Sequence, residues 1–298
     1  MMKATFGRKL FLLINVIFLT IISLICVLPF LNLLAISFSD KNAVAMGRVS
    51  FLPVDFTISS YEFITYNSAF LRSVWVSIQR VLLGVSVNLA LIVLTAYPLS
   101  KEKNEFKLRS VYSWFFVLTI LFNGGLIPSY LVVRYTGIRD TLWALVLPGA
   151  LPVFSMLVVM NYMRSLPREL CEAAYIDGAS HVQTLWRVIL PVSTPTLATV
   201  ALFAFVGHWN SWFDGLIYMG RVEHYPLQTY LQTVVLKPET FFTNTSNVSQ
   251  ALLSLLALID SRTTAAAQLF LGTIPILCVY PFLQKYFASG LVMGSVKG

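Results

Sequence analysis

The chain has 298 residues, 57% hydrophobic and 11% charged, with 21 Lys+Arg against 13 Asp+Glu and a mean hydropathy of +0.76. About a quarter of a soluble domain is charged, so this composition points to lipid as the solvent and excludes intrinsic disorder and a disulfide-stapled secreted scaffold. The formal charge of +8 would suit nucleic acid, but where the charges sit matters more than their sum.

Lys3, Arg8 and Lys9 precede an uncharged stretch over 10–39. That is twice the length of a signal-peptide apolar core and lacks a convincing cleavage site, so it is read as a retained first span. A membrane helix needs about 20 apolar residues. Uncharged runs of that order predict six spans, at about 11–35, 73–99, 110–133, 141–162, 197–219 and 265–287. The apolar run 251–259 is too short to cross and is expected at the surface or against the bundle. Cys26, Cys171 and Cys278 are scattered, without metal-ligand spacing, and no metal site is expected.

With the N-terminus inside, segments 1–9, 101–109, 164–195 and 285–298 hold twelve Lys/Arg and five acids, whereas 40–72, 134–140 and 214–262 hold eight of each. This is the positive-inside pattern, and it places both termini in the cytoplasm. The remaining cation, Arg80, lies in the second span. Snorkelling outward is preferred there over an intersubunit pair or attraction of an acidic sugar.

The longest inner loop, 164–195, is the most informative segment. Ser165 and Pro167 suit a helix start, with Glu169 at the positive end of the dipole. Leu170, Ala173, Ala174 and Asp177 share one face, and Gly178 tolerates a left-handed end. Ser180 with Gln183 forms a capping box for a second helix. Val182, Leu185, Trp186 and Ile189 make its apolar stripe, and Pro191 and Pro195 are expected to end it before the fifth span. Paired small residues admit another backbone closely, and Glu172 and Asp177 offer charge beside them, as a docking knob for a cytoplasmic protein requires. A DNA-binding helix-turn-helix fails, because three arginines are cancelled by three acids.

Glu172-Ala173-Ala174, Gly178 and Val188-Ile189-Leu190-Pro191 resemble the EAA loop of ABC importer permeases, which runs E-A-A, three residues, G, nine residues, I-x-L-P. Val188 stands where isoleucine is usual. Asp177 and Ala179 extend the match towards the carbohydrate-importer branch. Ala96-Tyr97-Pro98-Leu99-Ser100, Trp209-Asn210 and the tail from Gln284 to Gly298 are similar to the maltose-type "G" subunit. Tyr225–Thr229 and the long outer loop 220–262 resemble the branch serving complex polysaccharide fragments, including alginate and pectic oligomers.

The resemblance implies an all-α polytopic membrane protein with the type I ABC importer permease fold and a cytoplasmic coupling-helix loop, 1–298 forming one permease domain in a bacterial cytoplasmic (inner) membrane. It implies a heterodimer with a related permease subunit, two ATPase subunits that bind ATP and Mg, and a periplasmic or extracellular solute-binding protein delivering an oligosaccharide. Glu172, Ala173, Ala174, Asp177, Gly178, Leu190 and Pro191 would couple to the ATPase, and the tail Ser295, Val296, Lys297 and Gly298 would reach into it. Segment 225–235 is expected as a short helix, and 237–250 as the contact with the binding protein.

The chain has no G-x-x-x-x-G-K-[ST] loop and no H-E-x-x-H, so no catalytic role and no cofactor of its own are expected. Asn88, Asn123, Tyr130, Trp209 and Asn210 are candidates for the sugar path, being polar or amphipathic near span ends or interiors; such residues are more often helix-packing or interface anchors than ligand contacts. Import of a peptide or polyol, a secondary transporter and a scaffold are the rival readings.

Overall fold

The structure is a computed structural model describing residues 6–66, 68–236 and 260–295. Among them there are helices and one isolated antiparallel bridge, Ser39 to Phe56, and no strand. Contacts fall into two units, residues 1–71 with 231–274 and residues 72–230 with 275–298.

In the first unit, α1 (Phe6–Ser37) exposes its apolar side chains from Leu10 to Leu31, as a helix bathed in hydrocarbon would. Its end is tied down where Ser39 Oγ donates to the Ala35 carbonyl at 2.6 Å and the Val54 amide donates to Ser39 Oγ at 3.0 Å. Helix α2 (Lys41–Ala45) is capped by Asp40, which accepts from the Asn42 amide at 2.8 Å. Helix α3 (Ser59–Tyr66) returns Tyr61 to Ser37, their hydroxyls 2.8 Å apart.

The second unit holds most of the long α4 (Ser68–Ser100), then α5 (Arg109–Leu121), α6 (Leu126–Tyr135), α7 (Leu142–Val146), α8 (Val153–Ser165), α9 (Glu169–Ile176), α10 (His181–Thr184), α11 (Leu190–Asn210), α12 (Phe213–Tyr218) and the start of α13 (Leu227–Leu236). The last helix, α14, runs Ser261–Ser295. Ile92, Ala96, Met156, Val159, Met160, Leu185, Ile189 and Val200 form its core. These residues clamp α4, α8 and α11 together beneath the 164–189 segment.

Among the described residues, four helices are long and apolar enough to cross a membrane, and two bent pairs raise the number to six if each pair is one span. Two of the six expected spans, 110–133 and 141–162, are bent pairs of helices rather than straight ones. Span 110–133 breaks between α5 and α6 with a bend of 115°. Gly125 sits at φ +84°, and its amide donates to Asn123 Oδ1 at 2.9 Å. Span 141–162 bends by 52° between the 3-10 turn Leu147–Gly149 and α8. Pro152, lacking an amide hydrogen, cannot continue the ladder there.

The fifth span also differs from expectation. Pro191 and Pro195 do not end the second loop helix; one helical run extends from His181 to Asn210. A π turn at Leu185–Ile189 precedes Pro191, and the Thr194 hydroxyl donates to the Pro191 carbonyl at 2.8 Å, the group that Pro195 leaves without an amide partner. The span stops at Asn210 rather than 219, and α12 follows as a separate short helix.

Candidate functional site

The 164–195 segment is built largely as its residues dictate. Helix α9 starts at Glu169, later than Ser165 or Pro167 suggested, and Glu169 and Glu172 occupy its first turn. Gly178 takes φ +78° just past its end. Ser180 and Gln183 complete the capping box: the Ser180 amide donates to Gln183 Oε1 at 2.8 Å and the Gln183 amide to Ser180 Oγ at 3.4 Å.

Two periodicity readings are corrected. Ala173 and Ala174 do not share a face in use, because Ala174 is buried and Ala173 is exposed. Leu185 and Ile189 join the core, but Val182 and Trp186 stay outside at 65% and 63% exposure. A helix of this length packed on one side can bury only about a third of its circumference, so four apolar residues exceed what the bundle covers. The outward surface therefore combines Glu172, Ala173, Ile176, Asp177, Gly178, Val182 and Trp186. Leu190 is half-buried and Pro191 exposed at the root of α11. Of the tail, Ser295 ends α14, while Val296, Lys297 and Gly298 lie outside the described residues, as do 237–250 and 251–259.

Behind this surface, Lys101 anchors the loop. Its Nζ donates to the Tyr175 hydroxyl at 2.9 Å and lies 4.9 Å from the centre of the Tyr97 ring. Burial pulls the Lys101 pKa down, but the Tyr175 hydrogen bond and the adjacent Tyr97 outweigh it, so the net direction is up and the amine stays charged. Arg109 donates to the Lys101 carbonyl at 3.0 Å, and Arg164 to that of Leu99 at 2.8 Å. Arg168 pairs with Glu102 in an exposed position, where an ion pair contributes little. A recess of about 620 Å³ lies between these groups and α9. Sequence reasoning missed Lys101, Tyr175 and His181; their separations carry no local pattern.

Deeper in the same unit, Arg80 does not snorkel. It is 2% exposed, paired with Asp214 through both terminal nitrogens, and donates to the Ser211 carbonyl at 3.1 Å. A buried arginine must be paired, and its partner lies 134 residues away. Asn88 Nδ2 donates to the carbonyls of Gly149 and Ala150 at 3.0 and 2.8 Å, filling the orphan acceptors of the broken helix. Its Oδ1 lies 2.9 Å from Nε2 of His208. Gly84 permits this approach, since a Cβ there would overlap the His208 ring.

These groups border a cavity of about 520 Å³ that also meets Ser155 and Tyr218. Asn88 alone of the five candidate path residues lines it. Trp209 is buried, its ring stacked with Phe205 at 6.4 Å. Tyr130 is half-buried with Arg139 5.9 Å over its ring, while Asn123 and Asn210 are exposed. His208 and Asp214, which sequence reasoning passed over, do line it. No group of His, Cys, Asp and Glu suited to a metal ion occurs among the described residues.

Residues 2–292 match the family described as "Binding-protein-dependent transport system inner membrane component". The chain is 38% identical over 297 residues to Protein LplC of Bacillus subtilis (strain 168), covering 100% of this chain and 98% of LplC. It is 34% identical to the polygalacturonan/rhamnogalacturonan transport system permease protein YtcP of the same organism, covering 94% of this chain and 96% of YtcP. The fold superposes with a TM-score of 0.85 and 31% identity on a chain of a bacterial ABC transporter involved in the import of the acidic polysaccharide alginate, covering 96% of this chain and 100% of that one.

Proposed function

The chain belongs to the family of binding-protein-dependent transport system inner membrane components, and from that premise we propose that it is the permease subunit of an ABC importer for oligosaccharides, forming half of the translocation path. As a transporter membrane subunit it performs no chemistry; ATP and Mg are bound and ATP is hydrolysed by two partner ATPases. A second, related permease completes the path, residues 1–298 act as one permease domain, and a solute-binding protein delivers the sugar. Both termini face the cytoplasm, in keeping with the Lys/Arg excess on that side. Fragments of acidic polysaccharides are the first substrates to try, since YtcP is described as a polygalacturonan/rhamnogalacturonan permease and the structural neighbour as an importer of alginate.

The observation that carries this reading is the exposed surface on either side of Gly178. Ile176 (86% exposed) and Trp186 offer apolar contact, and Glu172 and Asp177 form an acidic rim. A partner groove with an apolar floor and basic edges fits it. Glu172, Ala173, Asp177 and Gly178 would touch the ATPase. Ala174, Leu190 and Pro191 would support the contact from behind, and Ser295–Gly298 would reach the ATPase dimer as a tail. Closure of that dimer on ATP would push on α9, and the Lys101–Tyr175 contact and the α4–α8–α11 core would pass the movement to the spans.

Copurification with a nucleotide-binding subunit and sugar-stimulated ATP hydrolysis of the whole complex test the proposal. A Glu172→Lys, Gly178→Val double variant should insert and keep its partner permease but lose stimulated hydrolysis. Normal stimulation in that variant would refute the coupling assignment.

A further inference from the structure

The cavity bordered by Arg80, Asn88, His208 and Asp214 has features that helix packing alone does not require. Irregular backbone at membrane depth is tolerated only where protein buries it or where it lines a watery cavity. The break after Gly149 borders this cavity, with Pro148, Gly149 and Pro152 in its wall. Ionisable residues within spans are costly and mark substrate pathways more often than packing. Here a buried cation, a carboxylate and an imidazole converge on one space of about 520 Å³, within the roughly 300–1,000 Å³ of small-molecule sites.

The hydrogen bonds define what remains free. Both Asn88 amide hydrogens are committed to carbonyls, which only accept, so Oδ1 must be the atom facing His208. Nε2 of His208 therefore donates, which leaves Nδ1 as the ring nitrogen able to accept. Arg80 Nε is buried and unpartnered. Asp214 Oδ1 already accepts from the Ser211 hydroxyl and the Gly215 amide, each at 2.8 Å. The cavity is lined by an imidazole, a carboxylate and the guanidinium paired with it, beside an apolar wall at Phe203. Vicinal hydroxyls, each both donor and acceptor, match that set better than an apolar solute does.

We propose that this cavity is a sugar subsite of this subunit, with Arg80, His208 and Asp214 as the hydrogen-bonding groups for a ring's hydroxyls and Asn88 as the residue positioning His208. This rests on the oligosaccharide-import reading. It adds a site within this chain, so the partner permease does not hold the sugar alone.

The test uses the assembled importer in proteoliposomes, with Cys26, Cys171 and Cys278 replaced by Ser and one new cysteine at Ser155→Cys. Probes are trisaccharides from polygalacturonan and alginate, with maltotriose as a neutral comparison. Uptake by the otherwise unaltered complex comes first; transport of none of the three overturns the import reading and this site with it. With a transported trisaccharide, a water-soluble thiol reagent should modify Ser155→Cys, and saturating sugar should slow modification about tenfold. His208→Gln should raise the uptake KM about tenfold, the size expected for one lost hydrogen bond to a charged or strongly polar group.

Because Arg80→Gln alone would strand a carboxylate, the pair is replaced together as Arg80→Met, Asp214→Leu. That variant should assemble with its partners yet lose uptake. Labelling that no transported sugar slows, or normal uptake by the assembled double variant, would leave the cavity as packing and import intact without it.

Discussion

The Tyr175 hydroxyl lies 2.9 Å from Nδ1 of His181 across the Gly178 turn, and the two rings meet edge-on with centroids 5.3 Å apart. One residue on each loop helix thus fixes the angle between them, and Lys101 holds Tyr175 from behind. These contacts tie the loop to the end of α4.

Gly178 sets that angle through its backbone. At φ +78°, with nothing within 4 Å of a would-be Cβ, steric room is not the constraint; the left-handed conformation is. Gly178→Ala should cost about 1–2 kcal/mol and Gly178→Val more. Sugar-stimulated ATP hydrolysis should fall in the same order, while membrane insertion is unchanged.

Asn88 repairs a broken helix, so its substitutions should separate by hydrogen-bond direction. Asn88→Ala should lower stability by about 1–3 kcal/mol, from two lost donors to carbonyls and a lost acceptor for His208. Asn88→Asp should do no better, because a carboxylate cannot donate to the Gly149 and Ala150 carbonyls. Thermal unfolding of the purified complex in detergent reads both.

A close contact of a different kind is exposed by Gly84→Ala. The added methyl would overlap the His208 ring and push α4 from α11. We expect a loss of about 1–3 kcal/mol, as for other overpacked sites. A His208→Ala change in the same chain should recover part of it, and the double-mutant cycle measures the coupling.

Acid sensitivity should reside at Asp140, on the segment after α6. Burial pushes its carboxyl up, but hydrogen bonds from His224 Nδ1 at 2.9 Å and the Gly220 amide at 3.0 Å, with the Arg221 charge, outweigh that and hold it below the ordinary range. A depressed folded-state pKa means the stabilisation is fully present above the unfolded value of about 3.9 and is lost as pH falls through the lower folded value. Asp140→Asn tolerates the left-handed backbone at φ +62°. Its melting temperature should be lower than the parent's at neutral pH, and the two should converge below about pH 4.

Much of the architecture follows from one-dimensional properties. The long apolar helices and the capping box at Ser180–Gln183 depend on local composition and spacing, and a 20-residue apolar run has few alternatives in lipid. The Gly178 turn is equally local, since only glycine takes that conformation without strain. The breaks at Asn123–Gly125 and at Pro148–Pro152 left Gly-Gly and Pro signals inside uncharged runs, yet hydropathy counts such residues as part of a span.

What no window of residues determines is which side chains meet. Trp186 and Ile189 share one apolar stripe, and only the bundle's limited width decides that Ile189 is covered and Trp186 is not. Arg80 reads as a lone charge near a span end until the fold brings Asp214 to it, and Asn88 reads as a stray polar residue until a broken helix presents it with two carbonyls. Burial of a charge or an amide is tolerable only with a partner, and partners distant in the chain are chosen by packing.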